Sequence, residues 1–254
     1  MPLWKLALLT FTGLFCGFIN VVAGGGSFIS LPVLIFLGLP PAVANGTNRI
    51  GILVQNIFAL WRFHRLRVFP WRFSAAVVAP AVLGALVGAH LATVISQELF
   101  KKALAFLMVM VTALTLYLKP MGKLSAGQET LSLPRLSPRR WAFILGLFFI
   151  IGIYGGFVQA GVGFFILSAI LLAGYDLVRG NAVKIFVVLI FTVFALGVFL
   201  AKGLVHWEAG LALAVGTTLG GQLGAFASVK KGNPFIQKMV TFLIIVFALR
   251  LLLT

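Results

Sequence analysis

The two halves of this chain repeat each other at one constant offset, without a gap. Gly25 recurs as Gly161, and Asn45 recurs as Asn181. The same offset aligns further positions: Phe28 with Phe164, Gly38 with Gly174, Trp71 with Trp207, Gly84 with Gly220, and Lys102 with Lys238. Glycine, asparagine and tryptophan do not keep one register over so many positions by chance. The chain is therefore an internal duplication, and its fold must contain two copies of one unit.

Each half is a series of apolar stretches separated by short breaks. The stretches are 3–23, 27–37, 46–61, 72–95 and 100–118 in the first half, and 141–159, 163–173, 182–201, 207–228 and 235–253 in the second. Hydrophobic residues make up 61% of the 254 residues and charged residues 9%, a balance that no soluble domain has. The sequence predicts an all-α polytopic membrane protein. The first stretch also resembles a signal peptide, but its counterpart lies in mid-chain, so we interpret it as a membrane helix.

The charge pattern excludes several function classes. The formal net charge is +16, but the basic residues lie at the ends of the apolar stretches, as the positive-inside rule predicts. We therefore expect the lipid bilayer as a partner and no nucleic acid. A single cysteine, Cys16, and three scattered histidines give no disulfide, metal or zinc-enzyme pattern. The sequence also lacks an ATP-binding P-loop and a nucleophile–base pair, so we expect no cofactor, no catalytic residues and no enzyme.

Basic loops predict how the two halves face the membrane. The loop 62–72 and the connector 119–140 are basic and should be cytoplasmic. In the second half the counterpart of 62–72 is nearly neutral, and the basic residues Lys230 and Lys231 follow one loop later. This switch indicates that the second half is inverted relative to the first, with ten crossings in all and both termini outside. The alternative, in which the two short stretches are re-entrant, gives eight crossings and parallel halves.

The resulting organisation has three parts. We predict a first membrane repeat at 1–118, a cytoplasmic linker at 119–140, and a second membrane repeat at 141–254. The stretches 27–37 and 163–173 are too short to cross a bilayer unaided, because a spanning helix needs about 20 residues. Both are flanked by glycine and occupy corresponding places in the two repeats, which indicates broken helices at a central binding site.

Two cations lie inside the apolar stretches. Arg49 is near the start of the third stretch, and Lys184 is near the start of its counterpart, where it aligns with Asn48. A buried cation usually has a carboxylate partner, but only Asp176 of the four acidic residues is near either cation in sequence. We infer that a transient anion neutralises both cations. The alternative is that the cations reach a membrane interface or donate to backbone carbonyls.

Amide residues accompany the cations. Asn45, Asn48 and Gln55 lie on one face of the predicted helix, and Asn181 with Lys184 repeats the start of that face. Such a face can line a cavity or hold helices together. The asparagines could also cap helices that begin at 46 and 182, which would direct positive helix ends toward an anion.

The motifs around both breaks resemble those of the TauE/SafE sulfite exporter family. In the first half these are Gly-Gly-Gly-Ser at 24–27, Leu-Pro-Val-Leu at 31–34 and the run 38–49 that ends in Asn-Gly-Thr-Asn-Arg. In the second half they are Tyr-Gly-Gly-Phe at 154–157, Gly-Val-Gly-Phe at 161–164 and Arg-Gly-Asn-Ala-Val-Lys at 179–184. Gln159 and Ala160 stand where that family often has further glycines.

The resemblance implies a multi-pass transporter of the bacterial inner membrane for sulfite, thiosulfate or organosulfonates such as sulfoacetate. Broken helices favour a secondary carrier with alternating access; an anion channel and a carrier of another small carboxylate or oxyanion are the alternatives. The coupling ion could be H⁺, carried by Lys184, or Na⁺, held by carbonyls near residues 24–27, and a homodimer is left open. The expected substrate-binding residues are Arg49, Lys184, Asn45, Asn48, Asn181, Ser27, Gly25, Gly26, Gln55 and Gln159.

Overall fold

The computed structural model describes residues 1–65, 69–100, 102–104, 106–107, 110 and 137–252, and all regular structure in these ranges is helical. The helices are α1 (Leu3–Val22), α2 (Ser27–Phe36), α3 (Pro41–Arg65), α4 (Trp71–Val94), α5 (Pro138–Phe157), α6 (Val162–Leu172), α7 (Leu177–Ala201) and α8 (Trp207–Leu252). Residues 97–100 are also helical. Most of the predicted span 100–118 and of the linker 119–140 lies outside the described residues.

Helix positions follow the sequence repeat. The starts of α7 and α8 align with those of α3 and α4 at the offset of the repeat, and α5 and α6 begin one position before the places that align with the starts of α1 and α2. The turns repeat too: Gly38 and Gly174 follow the two short helices with φ of 100° and 89°, which only glycine adopts readily. In each turn the residue after the glycine, Leu39 or Tyr175, donates its N–H to a carbonyl of the preceding helix at 3.2 Å, as in a Schellman motif.

α3 and α7 begin earlier than expected. α3 starts at Pro41, whose fixed φ suits a first turn. Asp176 caps α7 by accepting from the N–H groups of Val178 and Arg179 at 2.9 and 3.0 Å. Asn45 and Asn181 therefore lie inside their helices, and the expectation that they cap helices beginning at 46 and 182 is wrong.

Five of the described helices are long and apolar enough to cross a membrane: Leu3–Val22, Trp71–Val94, Pro138–Phe157, Leu177–Ala201 and Trp207–Ile236. The 25-residue α3 is more polar because it carries the amides and Arg49. α2 and α6 have 10 and 11 residues and rise about 15 Å, half of the roughly 30 Å hydrocarbon core. The described part of the chain is thus all-helical, as in a polytopic membrane protein, and it contains two half-length helices.

Each half-length helix turns back along the helix before it. At the start of α2, a Cβ on Gly26 would lie 2.1 Å from the carbonyl oxygen of Cys16 in α1. At the end of α2, Lys5 Nζ donates to the carbonyl of Leu37 at 2.9 Å. α1 and α2 thus form a hairpin, which we call hairpin 1. α5 and α6 form the corresponding hairpin 2, in which the rings of Tyr154 and Phe165 lie 5.1 Å apart.

The two hairpins meet at their tips. Gly24, with φ of 93°, follows α1, and Gly163 lies in the first turn of α6. A Cβ on Gly163 would lie 2.4 Å from the Cα of Gly24. Only two glycines allow backbones to approach so closely. The breaks of both repeats therefore share one point in the structure.

Glycine faces join the two halves. Along α8, a Cβ on Gly216 or Gly220 would lie 1.9 or 1.8 Å from the carbonyl oxygens of Thr10 and Leu14 in α1. Along α4, Gly84 and Gly88 are packed in the same way against α5. Regularly spaced glycines thus let these helices approach closely, as small residues do in membrane helix pairs. Each half thus packs its first helix against the fourth helix of the other half.

α3 and α7 run in opposite directions. The N–H of His206, just after α7, donates to Thr47 Oγ1 near the start of α3 at 2.9 Å. At the other end, Arg62 of α3 stacks on Phe226 of α8, and Asn233 of α8 accepts from the N–H of Val178 at the start of α7 at 3.1 Å. The start of each helix is therefore level with the end of its repeat counterpart.

Candidate functional site

A small cavity lies where the hairpin tips meet. Its lining combines residues from both breaks with polar side chains of α3 and α7: Asn20, Gly24, Ser27, Ile52, Gln55, Asn56, Gln159, Val162, Gly163, Lys184, Ile185 and Val188. We call this space the central cavity. Of the ten residues predicted to bind substrate, four line it, namely Lys184, Ser27, Gln55 and Gln159.

Lys184 lines the central cavity and binds the end of α1. Its Nζ donates to the carbonyls of Asn20 and Val21 at 3.0 and 2.8 Å, and to Asn181 Oδ1 at 2.5 Å. Asn181 in turn donates to the carbonyl of Val22 at 3.0 Å. These carbonyls belong to the last turn of α1, where intrahelical donors end. Lys184 and Asn181, which we call the Lys184 cluster, therefore neutralise the negative end of the α1 dipole.

Arg49 makes the corresponding contacts at the end of α5. Its guanidinium donates to the carbonyls of Gly155 and Gly156 at 3.2 and 2.5 Å, and Asn45 Nδ2 donates to the carbonyl of Phe157 at 2.8 Å. Arg49 is fully buried and stacks on the ring of Phe199 at 4.7 Å. We call Arg49 and Asn45 the Arg49 cluster. It neutralises the negative end of the α5 dipole, as the Lys184 cluster does for α1.

Neither cation contacts a carboxylate of the described residues. The acidic residues there have other partners: Glu98 contacts Lys102, Asp176 contacts Arg179, and Glu208 contacts the amino group of Met1. The partners of Arg49 and Lys184 are backbone carbonyls and amides, which was the alternative considered from the sequence. Within the same residues no three metal-ligating side chains come together.

Gln159 connects the Arg49 cluster to the central cavity. Arg49 itself does not line the cavity, but its Nη1 donates to Gln159 Oε1 at 3.4 Å. Gln159 Nε2 donates to Thr192 Oγ1 at 2.5 Å. Both ends of the amide are thus held, and its orientation at the cavity wall is fixed by Arg49 on one side and Thr192 on the other.

Ser27 is held from α3. Ser30 donates to Asn48 Oδ1 at 2.6 Å, and Asn48 Nδ2 donates to Ser27 Oγ at 3.1 Å. Because Ser27 accepts in this contact, its own hydroxyl hydrogen is available to the cavity. Asn48 therefore positions a donor without lining the cavity. Gly25 and Gly26 are buried in the turn that leads into Ser27 and do not line the cavity either.

Two amides of α3 complete the lining. Gln55 Nε2 donates to Asn56 Oδ1 at 3.3 Å, and Gln55 Oε1 is buried without a partner. The helical face that runs through Asn48 to Gln55 was predicted, whereas Asn56 and Asn20 were absent from the predicted site. Both are amides inside predicted spans, and that position is the signal that could have identified them.

The helix ends give the central cavity a positive character. Ser27 lies at the N-terminus of α2, and Val162 with Gly163 lies at the N-terminus of α6. An N-terminus carries a partial positive charge, although the N–H groups of Phe28, Ile29 and Phe164 already donate to the carbonyls of Gly25, Gly26 and Gly161. The opposing C-termini of α1 and α5 are neutralised by Lys184 and Arg49. The remaining field favours a small anion.

A family model and several similar proteins point to the same class of protein. The family model described as "Sulfite exporter TauE/SafE" matches residues 9–251. A Sinorhizobium protein named "Probable membrane transporter protein ORF9" is 33% identical over 97% of this chain and 92% of its own length. A "Probable membrane transporter protein" of Haemophilus influenzae is 30% identical over 92% and 89%, and Escherichia coli YfcA, of the same description, is 27% identical over 97% and 89%. No solved structure matches at a comparable level.

Proposed function

Because this chain belongs to the TauE/SafE sulfite exporter family, we propose that it is a secondary carrier that exports small sulfur-containing oxyanions. Sulfite, thiosulfate and organosulfonates such as sulfoacetate are the substrate class. The family is one of membrane transporters, and the similar proteins are named as transporters. We place the carrier in the bacterial inner membrane as a multi-pass protein.

The observation that carries this proposal is the pairing of helix ends at the central cavity. Two helix N-termini face the cavity, while the two C-termini that would repel an anion are each covered by a cation. Broken helices in other carriers direct their N-terminal ends at anionic substrate groups in the same manner. An oxyanion here would receive hydrogen bonds from N–H groups, amides and a hydroxyl.

We assign roles to the predicted residues on this basis. Ser27 offers its hydroxyl hydrogen to the anion, and Gln55 and Gln159 each offer the second N–H of an amide group whose first N–H is already bound. Lys184 supplies charge across the cavity wall, since its three N–H groups already have acceptors. The other members support these groups: Arg49 orients Gln159, Asn45 and Asn181 hold helix ends, Asn48 holds Ser27, and Gly25 with Gly26 forms the turn that exposes the start of α2.

Alternating access is the mechanism that we propose, with ten membrane segments in two inverted repeats. The opposite directions of α3 and α7 support inversion, as do the matching helix positions in the two halves. Hairpin 1 returns toward the side where α1 begins, since the end of α2 contacts Lys5. α3 therefore starts on the same side of the membrane as α1. Labelling tests this: single cysteines at Arg65 and Lys231, in a Cys16→Ala background, should react only from the cytoplasmic side. Reaction from opposite sides would refute the inverted arrangement.

Transport by purified protein in vesicles tests the function. Vesicles loaded with sulfite, thiosulfate or sulfoacetate should show saturable flux and counterflow for at least one of them, with a gradient of H⁺ or Na⁺ as the driving force to be varied. Flux that does not saturate and shows no counterflow would favour an anion channel. Saturable flux of a carboxylate but of none of the sulfur anions would assign a different substrate. Crosslinking in the same vesicles would report whether the carrier is a homodimer.

A further inference from the structure

A cluster of basic residues lies outside the central cavity, at the end where α3 stops and α8 bends. Arg62 of α3 and Lys230 of α8 both contact the ring of Phe226, at 5.0 and 5.4 Å from its centroid. Arg65 lies one turn after Arg62 and stacks on Trp61 at 4.2 Å. Lys231 follows Lys230 and precedes the bend at Gly232. We call Arg62, Arg65, Lys230 and Lys231 the basic cluster.

The basic cluster has no counter-charge within the described residues. Every acidic side chain there contacts a cation elsewhere, as given above, and none contacts the basic cluster. Four cations on two neighbouring helices repel one another, and aromatic rings relieve this only in part. A ligand with negative charge would therefore bind at this end with little competition from the protein itself.

The surface next to the basic cluster is apolar and exposed. Along α3 it consists of Ile57, Phe58 and Trp61, and along α8 of Leu219, Leu223 and Phe226, each between 44% and 57% exposed. This strip continues directly from the cations toward the middle of the two helices. Trp61 is half-exposed near the end of α3, as is typical of tryptophans at the headgroup level of a bilayer. Charge and apolar surface thus follow each other in the order that a phospholipid presents its headgroup and chains.

We propose that the basic cluster is a binding site for the headgroup of an anionic phospholipid, whose acyl chains lie along the exposed strip of α3 and α8. Arg62 and Lys230 hold the phosphate between the two helices, because they reach the same ring from different helices. Arg65 and Lys231 add charge at its outer side. A bound lipid would bridge α3, which lines the central cavity, and α8, which packs against α1.

Native mass spectrometry of the full chain in detergent tests this with phosphatidylglycerol and phosphatidylcholine as probes. The wild-type protein should retain phosphatidylglycerol in preference to phosphatidylcholine. The Arg62→Gln/Lys230→Gln variant should bind phosphatidylglycerol roughly 30-fold more weakly, since each cation near a membrane surface contributes a factor of about five in affinity. Arg62→Lys/Lys230→Arg keeps both charges and should retain most of the binding.

The matched control removes two charges from another helix. Arg139 and Arg140 lie exposed in the first turn of α5, and Arg139→Gln/Arg140→Gln should leave phosphatidylglycerol binding unchanged. An equal loss in this control, or retention in Arg62→Gln/Lys230→Gln, would overturn the proposal. Competition by inorganic phosphate at equal concentration would also overturn it, because the acyl chains would then contribute nothing.

Discussion

The Arg49 cluster and the Lys184 cluster use the same chemistry in different surroundings. Both place a cation and an asparagine at the last carbonyls of a broken helix. Lys184 also lines the central cavity, whereas Arg49 is sealed between Phe199 and the end of α5 and reaches the cavity only through Gln159. Each repeat thus places a cation at a helix C-terminus, but only the cation of the second repeat, Lys184, lines the central cavity.

This difference separates two roles that the sequence could not distinguish. A cation at a helix C-terminus stabilises the fold whether or not a ligand is present. A cation at a cavity wall also attracts the ligand. We therefore expect Arg49 to matter mainly for stability and Lys184 mainly for anion affinity. Substitutions at the hairpin tips and in each cluster test this division.

The largest effect is expected at the contact between the hairpin tips. Gly163→Ala places a Cβ at 2.4 Å from the Cα of Gly24, and neither backbone can move without separating the two breaks. We expect a loss of about 3 kcal/mol or more in the free energy of unfolding, together with loss of transport. Gly146→Ala is the matched control, because nothing lies within 4 Å of its Cβ, and it should be neutral or slightly stabilising. Thermal unfolding in detergent measures both, and equal stability of the two variants would show that the tips are not in contact.

Arg49→Met should cause the next largest loss. It leaves the carbonyls of Gly155 and Gly156 without donors in a dry environment, at a cost of about 3 kcal/mol. Lys184→Met should cost about 1 kcal/mol, because Asn20, one of the two residues whose carbonyls Lys184 binds, lines the central cavity, where a water molecule could replace the lost donor. Unfolding in the absence of any anion measures the difference. Equal losses for the two variants would mean that the clusters do not differ in exposure.

Anion affinity should show the opposite ranking. Lys184→Gln removes the charge at the cavity wall but keeps a donor for the carbonyls, and we expect roughly 30-fold weaker binding of sulfite by calorimetry. Lys184→Arg should retain most of the affinity, since the charge stays. Arg49→Lys, which keeps the charge but loses the planar fork, should weaken binding less than Lys184→Gln. Unchanged affinity in Lys184→Gln would remove Lys184 from the binding site.

Much of this fold could be predicted because its determinants are local. One constant offset between the halves located the repeat, and glycine with short apolar runs located both breaks. The predicted helix starts at 46 and 182 were less accurate. α3 begins at Pro41, and α7 follows its cap Asp176, so both helices begin several residues earlier. The asparagines then bind helix ends in the other half, a contact that depends on the crossing of the two hairpins and has no signal in the flanking sequence.

The candidate site was predictable in composition but not in arrangement. Arg49, Lys184 and the amides were identified because polar groups are costly inside apolar segments. Their partners could not be, since Arg49 binds residues more than a hundred positions away in α5. That the cations cover helix C-termini follows only when the ends of α1 and α5 are placed beside α7 and α3. The same placement exposes the N-termini of α2 and α6 to the cavity.

The smallest effect tests whether Arg49 acts on the cavity through Gln159. Gln159→Leu removes one neutral donor and should weaken anion binding about fivefold. Thr192→Val frees the amide on its other side, because Gln159 Nε2 donates to Thr192 Oγ1 at 2.5 Å, and should weaken binding by less than that. If Arg49 orients the amide, Arg49→Lys will lower affinity in the wild-type protein but not in Gln159→Leu, which a double-mutant cycle measures as coupling. Thr217→Val, at a buried hydroxyl bound to the carbonyl of Gly51, serves as the control away from Gln159. Additive losses from Arg49→Lys and Gln159→Leu would mean that Arg49 influences the anion by its charge alone, and the two clusters would then act on the cavity in the same way.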